Sequence, residues 1–318
     1  MSINAVITGT GSYLPEKILT NDDLAQKIET SDEWIRTRTG IGARHMANDN
    51  ETTNFMATEA ARRALDMAGV SADEIDLVIV GTVSATHSFP ATACFIQKEL
   101  GIHNGGPAFD LQAACSGFIY GLDLATTQLK MGKATKALVI GAEKFSSYLN
   151  WEDRSTCVLF GDGAGAVVLE AKEGVASGIL GTKIHADGAQ TDLLISTGGL
   201  SSTKTTGHVK MQGREVYRHA VRRMAPLLKD ENLKPEDIDW LVPHQANLRI
   251  IEATADHLNF PMEKVIQTVA NHANTSAASV PMAMDVANRE GRFKAGDILM
   301  LNAFGAGFTW AGALIRWA

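Results

Sequence analysis

The chain repeats itself at long range. VSADEIDLVIV (Val70–Val80) aligns with LKPEDIDWLVP (Leu233–Pro243) at an offset of 163 (70 to 233), which sets Ile75 on Ile238 and Asp76 on Asp239. KATKALVIGAE (Lys133–Glu143) aligns with KAGDILMLNAF (Lys294–Phe304) at an offset of 161 (133 to 294). Any two helix–turn–strand segments can look alike, so neither pair alone means much. Agreement of the two offsets, near half of the 318 residues, points to a duplicated α/β unit. Such a duplication gathers loops from both halves along one edge, where strands end and helices begin.

The local pattern agrees. AVITGTG reads as a strand, FMATEAARRALDMAG (Phe55–Gly69) as a helix closed by glycine, and IDLVIVGT as a buried strand. ALVIGAE, DWLVPH and DILMLNAFG continue the alternation. Hydrophobic residues at 45% against 20% charged supply a core and exclude a disordered chain. A net charge of −7 provides no global basic field, which argues against nucleic acid and obliges any acidic partner to find a local basic patch. Cys94, Cys115 and Cys157 form no C-x-x-C pair, so neither a disulfide framework nor a cysteine zinc site is expected. MSINAVITGTGSYLP carries no basic segment followed by an apolar one, and no run approaches the ~18 apolar residues of a membrane span. The expectation is a soluble, cytoplasmic protein without a membrane partner. GDGAGAVVLE (Gly161–Glu170) mimics G-x-G-x-x-[GA], but a strand-like run follows it, so a tight hairpin is predicted instead of a dinucleotide loop. The polar Ser196–His208 stretch reads as an ordered surface loop.

Three positions stand out for chemistry. FDLQAACSGFIYGLDLATTQLKMG predicts a strand over Ala108–Leu111, a small-residue elbow, and a helix from about Gly117 to Met131. Cys115 occupies the elbow, where unpaired N–H groups and the helix dipole are expected to lower the thiol pKa. A lone cysteine is more often structural, but Ala113, Ala114 and Gly117 leave room beside this sulfur, whereas Cys94 and Cys157 sit in apolar runs and read as packing. His244 ends a buried strand, with a helix from about Asn247; that location suits catalysis and a satisfied core histidine equally. Asn274 enters a helix, for which N-capping is the default. The glycines of FGAGFTWAGALI (Phe304–Ile315) would let backbone N–H groups approach a substrate oxygen. The 129-residue interval from Cys115 to His244 is close to the roughly 130–150 residues of papain-like hydrolases, but their cysteine signature is absent.

TSDEWIRTRTGI, AACSGF, GDGAGA, VPHQANLRI, NTSAASVP and FGAGFTW, in this order, closely resemble the β-ketoacyl-acyl-carrier-protein synthase III family of thiolase-like condensing enzymes, essentially end to end. The resemblance implies an α/β thiolase-like fold, a duplicated αβαβα five-layer sandwich. Residues 1–172 would form the half carrying the cysteine and 173–318 the half carrying histidine and asparagine. It implies a homodimer that condenses acetyl-CoA, or another short acyl-CoA, with malonyl-acyl-carrier protein, giving acetoacetyl-acyl-carrier protein, CoA and CO2. No cofactor and no metal are implied, CoA thioester being a substrate. Cys115 matches the acylated nucleophile, and His244 with Asn274 the pair that drives decarboxylation. Backbone N–H groups of Cys115 and Ala306 match the oxyanion donors; many relatives have glycine at the second position, so Ala306 keeps the role only with a negative φ. Trp34 and Arg154 match the adenine clamp, with core packing and a surface ion pair as their bland alternatives. Arg38, Ala246, Asn247 and Arg249 match positions along phosphates and pantetheine. Phe89 matches a residue reaching the partner's acyl pocket, and Phe304 lies beside the cysteine.

Carrier-protein docking is expected on Arg249, with Arg218 and Arg222 extending the patch. Some relatives carry a lysine pair beyond the arginine where this chain has Asp256 and His257. Three alternatives remain: a ketosynthase of secondary metabolism with another starter or acceptor, a cysteine hydrolase, and a non-catalytic dimeric thioester-binding protein.

Overall fold

The two echoed aspartates hold equivalent places. In the computed structural model, which describes residues 3–224 and 234–318, Asp76 accepts hydrogen bonds from the backbone N–H groups of Thr135 and Lys136. Asp239 accepts one from Ile298 N–H at 2.8 Å. Each carboxylate satisfies the exposed start of a strand that then runs parallel to its own. Leu233, the first residue of the second echo, lies outside the described residues.

The first sheet contains β1 (Ile3–Tyr13); after a ribbon of β2 (Ile18–Thr20) and β3 (Ala43–His45) come β4 (Leu77–Gly81), β5 (Ala108–Leu111), β6 (Lys136–Glu143) and β7 (Gly163–Glu173). The chain continues through β8 (Gly178–Ala186), a ribbon of β9 (Leu194–Ser196) and β10 (Val209–Met211), then β11 (Trp240–Pro243), β12 (Ile298–Gly305) and β13 (Thr309–Arg316). The first sheet has the order β1-β7-β6-β4-β5 and the second, written from the same side, β8-β13-β12-β11. In both, two antiparallel pairings are followed by a parallel one, strand for strand. Among the described residues the second sheet has no counterpart of β5, and in that place Val265 makes a single parallel bridge to Leu241.

Helices Gly117–Lys130 and Ser279–Arg289 lie between the sheets. Phe118, Ile119, Leu122, Val280, Ala283 and Met284 are all buried there, in one apolar cluster with side chains of both sheets. Helices Thr53–Ala68 and Thr92–Leu100 cover the outer face of the first sheet; Gly213–Met224 and Leu248–Leu258 cover the second. The result is the duplicated αβαβα sandwich. The first helix begins at Thr53, two residues before the predicted Phe55, because the Thr52 side chain accepts from Phe55 N–H and caps it.

Two expectations are corrected. Gly161–Glu170 is no hairpin: Gly163 opens the 11-residue β7, an inner strand between β1 and β6. Its small side chains serve packing, since a Cβ on Gly165 would lie 2.6 Å from the Met282 nitrogen of the central layer. Cys94 is exposed rather than packed, because Ala93 and Ile96 are the buried positions of its helix; Cys157 is buried as expected. The Ser196–His208 stretch is the ordered tip of the β9–β10 hairpin, closed by Thr197 N–H donating to His208 O at 2.9 Å.

Close approach also sets the seam between halves. A Cβ at Gly141 would stand 2.2 Å from the carbonyl oxygen of Ala277, a backbone atom that cannot rotate away. Gly141→Ala is therefore expected to destabilise the protein by about 1–3 kcal/mol, the usual range for overpacking. Urea unfolding followed by circular dichroism measures it, and an unchanged midpoint would refute that seam.

Candidate active site

Loops from both halves meet at one end of the central layer. Cys115 lies in a single 3-10 turn, Ala114–Ser116, that feeds helix Gly117–Lys130. The turn needs Ala114 at φ 45, a left-handed conformation that presents the next side chain away from the helix. The end of β4 presses against the helix start: a Cβ on Gly81 would lie 2.6 Å from the Gly117 carbonyl carbon.

His244 follows β11 and is 2% exposed. Its Nδ1 lies 2.6 Å from Ser279 Oγ. That hydroxyl also accepts from Gln245 N–H at 3.3 Å; in the tautomer that presents a donor to the cavity, its proton goes to Nδ1 and the imidazole proton sits on Nε2. Burial pushes the imidazole pKa down to about 3, which keeps the ring neutral at physiological pH. Gln245 holds this loop, its amide donating to Pro243 O (2.8 Å) and Ile266 O (3.1 Å) and accepting from Thr268 N–H (2.8 Å) and Val269 N–H (3.1 Å).

Asn274 is bridged to the other half by its own backbone, donating to Leu159 O and accepting from Gly161 N–H, each at 3.0 Å. Its side-chain oxygen accepts from Ser276 N–H at 2.8 Å, an Asx turn and not the expected helix cap, since Thr275 and Ala278 hold the N-cap positions of the turns that follow; this leaves the amide NH2 as the group to present. The GDG motif thus serves the asparagine: Asp162 accepts from Ala47 N–H and from the Ser146 N–H and hydroxyl, fixing the loop.

Cys115, His244 and Asn274 line one cavity of about 100 Å³, closed by Phe304 and by apolar residues of the helix Gly213–Met224. A Cβ at Gly305 would stand 2.6 Å from the Cys115 nitrogen, so the strand end carrying Ala306 runs against the cysteine backbone. Ala306 is not among the positive-φ residues, as its proposed donor role requires. Leu194 and Met211, at the base of the β9–β10 hairpin, also line the cavity, which the sequence did not reveal.

The thiol pKa departs from expectation. Burial pushes it up to about 12, with the Glu143 carboxylate adding to the rise; hydrogen bonds from the Ser276 side chain and from its own backbone pull it down without prevailing. The helix terminus was visible in the sequence, the desolvation was not. Glu143, Ser276, Ser279 and Gln245 were likewise missed. The one available signal was a glutamate closing the apolar run ALVIGAE.

The remaining predicted residues divide. Ala246 and Asn247 line the same cavity, and Asn247 caps helix Leu248–Leu258 by accepting from Ile250 N–H at 3.0 Å. Trp34, on helix Asp32–Thr39, is half-buried, with the Arg154 and Arg38 guanidinium carbons 4.7 and 4.8 Å from its ring centroid. Arg154 also donates to Glu29 O at 2.7 Å. Gly40, just past that helix, packs on Leu248, which brings Trp34 and Arg38 beside the helix of the exposed Arg249. Arg218 and Arg222 are exposed one turn apart, and Arg218 pairs with Glu215 at 2.9 Å. Phe89, 85% exposed, does not join this chain's cavity.

Gln245→Leu strands four buried backbone groups. It is expected to cost about 3 kcal/mol or more, since each unpaired group costs roughly 1–3 kcal/mol. Denaturant unfolding would register this, and a loss below 1 kcal/mol would mean the loop holds itself.

Comparison with known proteins bears on the whole chain. The family model described as 3-oxoacyl-[acyl-carrier-protein (ACP)] synthase III matches residues 109–188, and its C-terminal companion matches 228–317. A protein of Erythrobacter litoralis (strain HTCC2594) named beta-ketoacyl-[acyl-carrier-protein] synthase III is 56% identical, over 99% of this chain and 100% of its own length. The crystal structure of 3-oxoacyl-[acyl-carrier-protein] synthase III from Aquifex aeolicus VF5 superposes with a TM-score of 0.93 at 48% identity, covering 98% of this chain and 100% of that one. The priming beta-ketosynthase from the R1128 polyketide biosynthetic pathway superposes equally well, TM-score 0.93, at 34% identity over 99% of this chain and 97% of that one.

Proposed function

Because the chain belongs to the β-ketoacyl-[acyl-carrier-protein] synthase III family, we propose that it joins acetyl-CoA, or another short acyl-CoA, to malonyl-acyl-carrier protein, releasing CoA and CO2. The observation that carries this reading is the meeting of a cysteine, a neutral histidine and an asparagine amide in one apolar cavity. Cys115 takes the acyl group; the oxyanion formed during transfer is held by the N–H groups of Cys115 and Ala306. The malonyl thioester then replaces CoA. His244, through Nε2–H, and Asn274, through its NH2, donate to the thioester oxygen as CO2 leaves and enolate charge grows there. Neutral donors suit that task, because a nearby carboxylate would repel the charge and a protonated imidazole would be costly to bury. The carbanion attacks the acyl-cysteine, and collapse returns Cys115 as leaving group.

A hydrolase would need His244 as a base hydrogen-bonded to the thiol, whereas among the described residues its ring bonds Ser279 through Nδ1 and the donor role proposed here places the proton on Nε2. A priming ketosynthase of secondary metabolism shares the fold at 34% identity, and the 56% identity to a synthase III favours the first reading. The reaction is driven by loss of CO2, so we assign no cofactor and no metal.

CoA would lie across Trp34, Arg154, Arg38 and Asn247, with its pantetheine arm entering past Ala246. Phe89 at 85% exposure and Phe109 at 36% on the edge strand β5 support a homodimer in which Phe89 enters the partner's acyl pocket. Among the described residues no helix is long and apolar enough to cross a membrane, and a cytoplasmic site of action fits this substrate pair.

Acetyl-CoA alone should acetylate Cys115, seen by intact mass and peptide mapping, while label confined to Cys94 or Cys157 would end the proposal. With malonyl-acyl-carrier protein, His244→Ala and Asn274→Ala should each slow CO2 release by about 10²–10³, the usual loss for an oxyanion donor.

Docking of an acidic carrier protein on a chain of charge −7 must be local. Among the described residues Arg249, on the helix that follows His244, makes no ion pair, while Arg218 shares its charge with Glu215. Arg249→Glu should lower kcat/KM for malonyl-acyl-carrier protein by about tenfold or more, with Cys115 acetylation retained at saturating acetyl-CoA. Kinetics across a salt series check this, since the wild-type rate should fall as charges are screened. A salt-independent rate and a normal variant would move docking elsewhere.

A further inference from the structure

Glu143 ends β6 in full burial, 0% exposed. A carboxylate in such a place must be held by donors. It accepts from Val83 N–H at 3.2 and 3.3 Å, from the Thr82 hydroxyl at 3.3 Å, from the Ser84 hydroxyl, and from the Ser276 hydroxyl at 3.1 Å. The Ser276 turn packs against the start of the cysteine helix, where a Cβ on Gly117 would lie 3.5 Å from the Ala277 Cβ, and the Ser276 side chain lowers the thiol pKa as a hydrogen-bond partner. Its backbone sits at φ 50, held by its N–H to Asn274 Oδ1. Cys115, Ser276 and Glu143 therefore stand in series, with Ser276 Oγ bonded to Glu143 Oε1, and the chemistry described above uses only the cysteine.

This series meets a need that the cavity leaves open. A buried thiol has to lose its proton before it attacks, and His244, in the Nε2–H form that the decarboxylation reading uses, has its other nitrogen against Ser279. Ser276 has one hydroxyl proton. It can donate that proton to Glu143 while accepting S–H, or donate it to the thiolate while accepting from a protonated Glu143, and both arrangements are fully bonded. Thiolate and carboxylate ionised together would repel each other in a dry site, so passing the proton between them keeps one negative charge throughout.

We propose that Glu143, acting through the Ser276 hydroxyl, receives the Cys115 proton as the acyl group is taken up. This rests on the acyl-cysteine reading above. The S–H bond breaks and its proton bonds to Ser276 Oγ, while the serine proton bonds to Glu143 Oε1; the sulfur electron pair forms the new bond to the thioester carbon. CoA leaves as thiolate and recovers the proton from Glu143 along the same hydroxyl. Cysteine thiol plus acyl-CoA thus gives acyl-cysteine plus CoA thiol, in balance. Glu143 touches no reacting atom and is a positioning residue. The titratable groups that face it are the Cys115 thiol and the Tyr148 phenol, whose hydroxyl donates to Val83 O at 2.7 Å.

Alkylation of Cys115 by iodoacetamide, followed by peptide mass so that exposed Cys94 is counted apart, tests this on the full chain across a pH series. The wild-type rate should rise through a midpoint close to the Glu143 value of about 7. In Glu143→Gln the rate at neutral pH should fall by about 10²-fold, within the range of general acid–base effects, and the midpoint should move upward. If Glu143 only repelled the thiolate, its neutral replacement would move the midpoint downward; a downward or unmoved midpoint overturns the proposal. Ser276→Ala, which keeps the carboxylate, should reproduce the slow, shifted profile, and the double variant should be no slower than the slower single one. Additive losses would overturn it as well. Because iodoacetamide carries no CoA, failure of acetyl-CoA to label the wild type would count against the acyl donor alone.

Discussion

Backbone-to-backbone contact between the two halves is the constraint on which the site depends. Where the central helices begin, strand ends approach them so closely that no side chain fits: Gly141 against Ala277 and Gly305 against the Cys115 nitrogen join the halves, and Gly81 against Gly117 seats the cysteine helix within the first. Each contact joins an element carrying a reactive group to a strand that fixes its height. Gly141 and Glu143 lie two residues apart on β6, so the contact that seats the Ser276 turn also brings the carboxylate to its hydroxyl. With side chains at these glycines, the cysteine turn, the asparagine turn and the Ala306 segment would be held apart.

Burial follows from that contact and reverses the electrostatics that an isolated helix terminus would suggest. The thiol is held protonated, the imidazole neutral and Glu143 poised about midway in its titration near neutral pH. All three are shifted mainly by desolvation, each toward its uncharged form. The cavity therefore offers hydrogen-bond donors and a displaceable proton instead of standing charges. Such a surface favours chemistry in which negative charge forms briefly on a substrate oxygen.

The sequence disclosed what depends on chain order and little of what depends on distant pairing. Asp76 and Asp239 could be matched because each works within its own half, and the match revealed the duplication before any coordinates. Cys115, His244 and Asn274 were legible as residue types at strand ends and helix starts. Glu143 and Ser276 stand 133 positions apart, and His244 and Ser279 35, so neither pair has a local signature. The same limit explains the errors. GDGAGA looked like a turn because small residues make turns, yet here they admit a helix against an inner strand. Cys94 looked buried because its neighbours are apolar, yet its helix face points to solvent.

The stack of guanidinium on Trp34 has a kinetic consequence. With Arg154 and Arg38 both within 5 Å of the ring centroid, the indole already carries a planar cation where an adenine would lie. Any nucleotide must displace an internal competitor, so its net affinity is the difference between two stacks and not the worth of one. At the proposed CoA site, return of Arg154 to the indole would then assist departure of the spent nucleotide. A clamp of this kind would trade tight holding for fast turnover, which suits the proposed order, in which CoA leaves before the malonyl thioester enters.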